Sequence, residues 1–423
     1  MNLFDKILDL IALPIRKLWR VAAHGAPQEQ FRVIFTIAVL MVVLSYFTVY
    51  GEIIYIGCDD ATFLVAAENI AKGELDVYRT PVYPIICKIC LVLGQDYGLW
   101  LIVLAQTVVF LVSVIVMHKA CCLLAPCSPL TRFIAEAFYS CNYAVCLWVF
   151  NIYSESLSFS CIVFLAYLII KLLRGQANWK HCISIALLYL IMLFLKPYFI
   201  CLAPAILIVI IMIWRKSTYT TRLVCICGIV LNIGAYTLYC HQFEKKYGIF
   251  ATTCIGVHNM YWQTGRLTTI SFDNKKNTDP RIKGIWLSAD SITPTLKQCK
   301  VIIGNNVNRY LYALFFEFVY SSDYCLPHHN TIYMHAKYVT IYPVIPLKLW
   351  GWLTFIFIIW HLWRWRKRNS DVRVHAIFAI MAISGVFTAI AGSSFSDYSR
   401  LTMPVYPILC LMIAAPGNFR EEE

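Results

Sequence analysis

The chain has few charged residues. Only 14% of its 423 residues are Asp, Glu, Lys or Arg, whereas 60% are hydrophobic, and the mean hydropathy is +0.66. These values lie outside the range of soluble globular domains, so we predict an all-α polytopic membrane protein. The formal charge of +13 could suggest nucleic acid, but many Lys and Arg residues stand beside apolar runs. In that position they indicate topology and contact membrane lipids, and we expect no nucleic-acid partner.

The sequence also lacks several motifs. It has no Gly-rich phosphate loop, no internal repeat and no zinc-type spacing of Cys and His, although it contains 18 Cys. Many of these Cys residues lie within apolar runs, where a thiol behaves as a small hydrophobic group. No Asn-x-Ser/Thr glycosylation acceptor and no endoplasmic-reticulum retention tail occur. These absences favour a bacterial inner membrane over the endoplasmic reticulum.

Long apolar runs are the main feature that is present. About ten are candidates for transmembrane helices, and they cover residues 31–50, 99–117, 130–150, 156–173, 182–195, 199–214, 223–239, 341–363, 374–391 and 401–415. The run at 81–94 is shorter, has two prolines in its first four positions and contains Lys88. We interpret it as a re-entrant or interfacial helix on the outer side, because a full span needs about 20 residues.

The distribution of Lys and Arg gives the orientation. Basic residues accumulate in alternate connections if the N-terminus is cytoplasmic and the apolar stretch 182–214 is divided at Lys196-Pro197. The predicted units are a cytoplasmic amphipathic segment (1–30), a transmembrane catalytic core with its first outer loop at 51–98 (31–240), an extracytoplasmic cap loop (241–340) and the C-terminal spans (341–423).

On this topology, ionisable residues collect at the outer face. Asp59 and Asp60 follow the first span, and the other members of the set are Arg79, Glu155, Lys196, Asp397, Tyr398 and Arg400. Each has an ordinary structural interpretation: an Asp or Glu can cap a helix, Lys196 can extend to the headgroups, and Arg400 can pair with Asp397. Several carboxylates and cations on one face would also suit a site that removes a proton and neutralises a phosphate.

Four segments carry a resemblance to a known family. They are 59–63 (DDATF, with later Ala and Gly residues up to Gly73), 79–84 (RTPVYP), 153–157 (YSESL) and 399–407 (SRLTMPVYP). Their order and residues resemble the GT-C membrane glycosyltransferases, particularly the protein O-mannosyltransferase and aminoarabinose-transferase branch. The sequence departs from that branch at position 60, where Glu is commoner than Asp, and in its short, Lys-rich outer loop.

The resemblance implies transfer of a sugar from a polyprenyl-phosphate donor to an acceptor hydroxyl of a glycan, lipid or protein outside the cytoplasm, with inversion. In these terms Asp59 is the general base and Asp60 orients the acceptor. Arg79, Lys196 and Arg400 neutralise the donor phosphate, while the substrate-binding residues are Glu155, Tyr83 and Tyr398. No cofactor is definite. A divalent cation between Asp59 and Asp60 stays open, although further oxygen ligands are not evident.

Two alternatives from other classes remain. A lipid-linked polysaccharide polymerase or ligase would use cations of the large outer loop, such as His258, Arg266, His328 and His329. A secondary transporter would place its charges near the midplane on broken helices, usually with repeat symmetry. The absence of a repeat argues against the transporter. The polymerase or ligase differs from the glycosyltransferase in that its reactive residues would lie in the large outer loop and not at Asp59.

Overall fold

The computed structural model describes residues 3–48, 59–124, 127–175, 178–268, 289–320, 372–392 and 403–415, with backbone alone at 3–12, 48, 59–60, 143–144, 262, 265–268, 315–320, 372 and 403. The α-helices of these ranges are α1 (Leu3–His24), α2 (Pro27–Thr48), α3 (Asp59–Ala71), α4 (Val82–Gly94), α5 (Gly98–Leu123), α6 (Pro129–Ser140), α7 (Tyr143–Leu147), α8 (Glu155–Leu173), α9 (Trp179–Leu195), α10 (Ala203–Trp214), α11 (Tyr219–Tyr247), α12 (Ile255–Thr268), α13 (Ile292–Asn305), α14 (Val307–Tyr320), α15 (Val372–Gly392) and α16 (Tyr406–Ala414).

The predicted all-α membrane architecture is confirmed. In the described ranges, seven helical stretches are long and apolar enough to cross a membrane: Pro27–Phe47, Val82–Leu123, Pro129–Phe150, Glu155–Leu173, Pro197–Trp214, Tyr219–Tyr247 and Arg373–Gly392. Of the other predicted spans, α9 is a shorter apolar helix, and α16 is described only from the turn that precedes it. The predicted span at 341–363 lies outside the described residues.

Helix α8 is at the centre of the bundle. It contacts α5, α9, α10 and α16, and most of its side chains are buried. Two serines of its N-terminal half bond to the preceding helical turn: Ser158 donates to the Ser154 carbonyl at 2.7 Å, and Ser160 to the Ser156 carbonyl at 3.1 Å. Small residues with internally satisfied hydroxyls allow close helix packing without polar groups facing lipid.

Helices α4 and α5 form an antiparallel hairpin. Gln95, with φ of 46°, ends α4, and the chain turns back immediately. At Gly98 an added Cβ would lie 2.7 Å from the Leu91 Cα, so only glycine permits this approach. Further along the pair, the Tyr83 hydroxyl donates to Gln106 at 3.1 Å. The separate short helix predicted at 81–94 is therefore present, and its depth in a bilayer stays a prediction.

The predicted span over 130–150 is present as Pro129–Phe150, but it is not one continuous helix. Helix α6 ends at Ser140, and the short α7 and a 3-10 turn (Trp148–Phe150) follow. Asn142 causes the break because its side-chain oxygen accepts from the Val145 N–H at 3.4 Å, which caps α7. Its amide also donates to the Tyr406 hydroxyl at 2.8 Å, so the break is a contact point for α16.

The outer loop predicted at 241–340 is mostly helical in its described ranges, 241–268 and 289–320. Helix α11 continues past the predicted boundary to Tyr247 and ends at Gly248, whose φ is 76°. Helices α12, α13 and α14 pack on one another, and a small apolar cluster forms around Phe243, Cys254 and Ile292. The Asn259 amide donates to the Gly392 carbonyl at 2.5 Å, which ties this region to the end of α15.

Candidate functional site

The start of α3 holds the two predicted acidic residues. Asp59 and Asp60 are the first two residues of the helix, so backbone N–H groups of its first turn lie beside them. Phe63 follows one turn later and is 5% exposed. Its ring packs edge-on against Tyr83, with ring centroids 4.9 Å apart, and lies 5.8 Å from the Tyr153 ring. These aromatic contacts fix the position of the α3 start against two other segments.

A buried carboxylate, which the sequence analysis did not single out, shapes the loop after α3. Asp76 is 5% exposed, and one of its oxygens accepts the backbone N–H groups of Tyr78 and Arg79, each at 2.8 Å. The other oxygen accepts from the Asn69 amide at 3.0 Å. An Asp side chain commonly stabilises a turn by accepting the N–H two residues ahead. An Asp in a polar connection between two helices could therefore have predicted this turn. Asp76 therefore sets the direction in which the chain enters Arg79.

Arg79 lies against the beginning of α3. Its Nε donates to the Thr62 hydroxyl at 2.7 Å, and its guanidinium carbon lies 4.1 Å from the Phe63 ring centroid. A guanidinium over an aromatic face is attracted by the ring quadrupole, and its planar shape suits both contacts. The structure thus holds a permanent cation against Thr62, which lies one helical turn after Asp59.

Lys196 and Glu155 form an ion pair. Lys196 Nζ lies 2.9 Å from Glu155 Oε1, and the side chains are 13% and 3% exposed. Glu155 is the first residue of α8, where the helix dipole favours a carboxylate. Lys196 has extended backbone because Pro197 follows it. Sequence reasoning had placed both residues at this face but had not predicted that they pair with each other.

Thr80 joins the two cationic segments. Its hydroxyl donates to the Leu195 carbonyl at 3.1 Å, so the residue after Arg79 is bonded to the residue before Lys196. These contacts link four parts of the chain: the start of α3, Arg79, Glu155 and Lys196. We call them the polar cluster. Its members come from four separate parts of the sequence.

Tyr83 supports the polar cluster from behind. It is fully buried, and its hydroxyl bonds to Gln106. The Gln106 amide donates to the carbonyls of Val149 and Asn151, each at 2.9 Å, which holds the turn before Glu155. The predicted direct role of Tyr83 in substrate binding stays a prediction. Gln106, within a mainly apolar stretch of α5, is the residue that sequence reasoning missed here.

Asn151 is buried beside this turn. Its side chain is 0% exposed, and within the described part of the chain neither its Oδ1 nor its Nδ2 has a hydrogen-bond partner. A buried amide without partners is costly, because it has lost its water without replacement. The position is four residues before Glu155, so Asn151 is a candidate for contact with a bound water or substrate.

The cap approaches the polar cluster through the 74–81 loop. The Cys254 N–H donates to the Val77 carbonyl at 2.8 Å, and the His258 ring lies edge-on to Tyr78 with centroids 6.1 Å apart. Burial raises the pKa of the Cys254 thiol to about 12 and also raises the pKa of Tyr78. Both groups stay neutral at pH 7, so the charge here comes from the Asp, Glu, Arg and Lys side chains.

Arg400 and Tyr398, with Asp397, lie outside the described residues. The chain resumes at the 3-10 turn Met403–Val405, which contacts α8 and α15. That Arg400 and Tyr398 lie near Arg79 and Lys196 stays a prediction. No group of three or more His, Cys, Asp or Glu side chains suited to a metal ion occurs among the residues that the structure describes.

An apolar cavity of about 140 Å³ lies between α8, α9, α10 and α11. Tyr189, Ile206 and Gly228 are among its lining residues, and none of the predicted site residues is. Asn232 brings one polar group to the wall, and its amide donates to the Gly228 carbonyl at 2.8 Å. The cavity is therefore suited to an aliphatic chain and not to the chemistry predicted at the polar cluster.

No protein-family model and no curated protein sequence matches the chain. Among solved structures it is similar to the archaeal oligosaccharyltransferase AglB from Archaeoglobus fulgidus, in complex with an inhibitory peptide and a dolichol-phosphate. The identity is 9% and the TM-score 0.45, and the match covers 89% of this chain and 50% of that one. The chain thus spans half the length of this neighbour. The fold and composition define an all-helical integral membrane protein, and a similarity of this size assigns neither a family nor an activity to it.

Proposed function

We propose that the chain transfers a sugar from a polyprenyl-phosphate donor to the hydroxyl of an extracytoplasmic acceptor, with inversion at the sugar. The observation that carries the proposal is the polar cluster. Arg79 lies against the first turn of α3, which begins with Asp59 and Asp60, and Thr80 connects this segment to the residue before Lys196, which pairs with Glu155. A reaction of this type needs a base for the acceptor and a cation for the leaving phosphate, and the polar cluster contains both residue types.

Arg79 is the principal phosphate-binding residue in this proposal. Thr62 and Phe63 hold its guanidinium in place, so little ordering is needed when a phosphate arrives. Lys196 acts together with Glu155, which keeps the ammonium at the site in the absence of donor. Arg400 would complete the set from the segment before α16. The leaving phosphate would then depart with its charge neutralised.

Asp59 is the proposed general base, and Asp60 orients the acceptor. A carboxylate at a helix start is stabilised by the helix dipole and by nearby cations, which keeps it ionised and able to take a proton. The acceptor hydroxyl loses its proton to Asp59 as its oxygen attacks the anomeric carbon, and the bond from that carbon to the phosphate oxygen breaks. Asn151, buried close by, would supply a further hydrogen bond to the acceptor or to a bound water.

The apolar cavity offers a place for part of the lipid tail. Tyr189 lines it and lies seven residues before Lys196 on α9. At 1.5 Å per residue, this is a separation of about 10 Å along the helix. A donor whose phosphate meets the polar cluster would have its first isoprenoid units within reach of this cavity.

A polymerase or ligase acting on lipid-linked glycans is the second candidate. The observation in its favour is His258 of the cap, which lies against Tyr78, directly before Arg79. Such an enzyme would use the same donor class but would depend on the cap histidine. The two candidates differ in whether Asp59 or His258 is essential.

The experiment uses the purified full chain in lipid nanodiscs with a panel of polyprenyl-phosphate sugars. Release of polyprenyl phosphate, dependent on an added acceptor extract, is the readout. We expect release with one donor class, loss of release in Asp59→Asn and retention of it in His258→Gln. The opposite pattern would favour the polymerase or ligase, and no release with any donor would contradict the proposed function.

A further inference from the structure

A second group of chemically active side chains lies far from the polar cluster. His118 and Cys122 are one turn apart near the end of α5, and Glu136 is on α6. The distance from Gln106, which supports the polar cluster, to Cys122 is about 24 Å along α5 at 1.5 Å per residue. We call His118, Cys122 and Glu136 the histidine cluster.

The three side chains are connected through the imidazole ring. His118 Nδ1 lies 3.0 and 3.1 Å from the two oxygens of Glu136, and His118 Nε2 lies 3.5 Å from Cys122 Sγ. Phe31 of α2 packs against the ring with a centroid distance of 4.8 Å. The His118 side chain is 14% exposed and that of Glu136 1% exposed. Glu136 and Phe31 therefore hold the imidazole in place, and its Nε2 faces the Cys122 thiol.

The hydrogen-bond partners determine which ring nitrogen carries the proton. An ionised Glu136 carboxylate only accepts, so His118 Nδ1 must be the donor. In the neutral ring, Nε2 then has a lone pair, and the Cys122 thiol is the group that donates to it. A thiol next to a base that is itself oriented by a carboxylate is the arrangement that activates a nucleophile.

The neighbouring thiols lack this arrangement. Cys121 is fully buried, and a buried structural Cys is inert. Cys127, like Cys122, is partly exposed and lies at the same end of the bundle, but His118 contacts only Cys122 among the thiols of the described residues. If the His118–Glu136 pair served only to join α5 to α6, the thiol contact would have no consequence and Cys122 would react like Cys127.

We propose that Cys122 is an activated nucleophile that accepts a fatty acyl group from an acyl thioester. His118 Nε2 takes the thiol proton, and the sulfur attacks the thioester carbonyl carbon. A new carbon–sulfur bond forms, the bond from the carbonyl carbon to the leaving thiolate breaks, and His118 returns the proton to that thiolate. Glu136 is a positioning residue. A long acyl chain suits the site because Cys122 stands at the end of an apolar helix, where S-acylation of membrane proteins occurs.

The first measurement is thiol reactivity in the folded full chain in nanodiscs. Iodoacetamide labelling of each Cys is followed by peptide mass spectrometry, with each rate divided by its rate in the unfolded chain. An ordinary thiol has a pKa of about 8.5, so only a small fraction of it is the reactive thiolate at pH 7. Because His118 can take the Cys122 proton, we expect Cys122 to react about tenfold faster than Cys127. His118→Gln should remove this advantage, and Glu136→Gln should reduce it. An unchanged Cys127 rate in each variant shows that the fold is retained.

The second measurement is acylation itself. Membranes containing the chain are incubated with an alkyne-tagged palmitoyl thioester, and hydroxylamine-sensitive label is mapped to peptides. We expect label at Cys122, loss in Cys122→Ser, strong reduction in His118→Gln and no change in Cys127→Ser. Equal reactivity of Cys122 and Cys127, or label that does not depend on His118, would overturn the proposal. The result is independent of the sugar-transfer assay, since it is read on the chain itself.

Discussion

The polar cluster and the histidine cluster lie at opposite ends of the central helices, and each contains a buried glutamate with a basic partner. Glu155 is 3% exposed and pairs with Lys196, whereas Glu136 is 1% exposed and pairs with His118. Burial alone therefore does not distinguish them. The difference lies in the partner, because an ammonium keeps its charge at neutral pH and an imidazole can lose it.

The backbone around the two pairs also differs. His118 and Glu136 project from two regular helices. At the polar cluster, the chain is extended at Lys196, turned at 151–154 and looped at 74–81. Irregular backbone within a membrane protein is tolerated where it is buried in protein or lines a cavity. Irregular backbone beside charged residues therefore favours the polar cluster as the proposed substrate site, whereas the His118–Glu136 pair joins two regular helices.

The largest expected effect is on catalysis at the polar cluster. Asp59→Asn should lower the rate of sugar transfer by about 100-fold to 10,000-fold, because a positioned base is lost while donor contacts remain. The measurement is turnover with donor binding determined alongside. Asp96→Asn, at an exposed carboxylate between α4 and α5, is the matched control and should be near normal. If Asp60→Asn is inactive and Asp59→Asn is not, the roles of the two residues are exchanged.

The next effect concerns the stability of the polar cluster. Lys196→Met leaves Glu155 buried without its cation, which should destabilise the chain by about 3–5 kcal/mol. Denaturant unfolding in detergent would measure it. Lys88→Met is the control, since its partner Glu68 is 54% exposed and such a pair contributes about 0–1 kcal/mol. Similar losses in the two variants would show that the buried Lys196–Glu155 pair contributes no more to the free energy of unfolding than the exposed Lys88–Glu68 pair.

A smaller loss is expected at the histidine cluster. Glu136→Gln should cost about 1–3 kcal/mol, because the partner left behind is an imidazole, which can give up its proton and then loses only a hydrogen bond. The same unfolding measurement applies, with Lys196→Met as the reference. A loss as large as that of Lys196→Met would contradict the distinction between the two clusters.

The smallest effect tests the fine geometry of Arg79. Arg79→Lys keeps the charge but loses the planar contact with Phe63 and the Nε bond to Thr62. A cation–π contact contributes about 0.5–1 kcal/mol, so the donor KM should rise about twofold to fivefold with little change in kcat. Arg215→Lys, at an exposed arginine, should leave KM unchanged. An unaltered KM in Arg79→Lys would remove Arg79 from the phosphate site.

Much of the helix pattern could be predicted from apolar runs, because a membrane helix needs a long stretch of one kind of residue. The break between α9 and the turn that begins at Pro197 was also predictable, since a Lys-Pro pair interrupts a helix. The break at Asn142 was missed. A single Asn in an apolar run can face a partner or cap a new helix. Only the structure shows that Asn142 does both, through its bonds to Tyr406 and Val145.

The candidate site was predicted as a set of residues but not as a set of contacts. Arg79, Glu155 and Lys196 were expected at one face, and the structure brings them together through Thr80 and Phe63. The pairing of Lys196 with Glu155 spans 41 positions in the sequence, and no local pattern encodes it. The burial of Tyr83 behind Phe63 was equally invisible, because exposure depends on neighbours that come from other helices.

The sequence by itself determined that this chain is a helical membrane protein, because composition and run length set the free energy of transfer into lipid residue by residue. It also determined which ionisable residues stand at helix ends. Only the tertiary structure decided which of them meet. Hydrogen bonds and ion pairs act over about 3 Å, so Asp76, Gln106 and the His118–Glu136 contact acquire their roles from helix packing that no short stretch of sequence specifies.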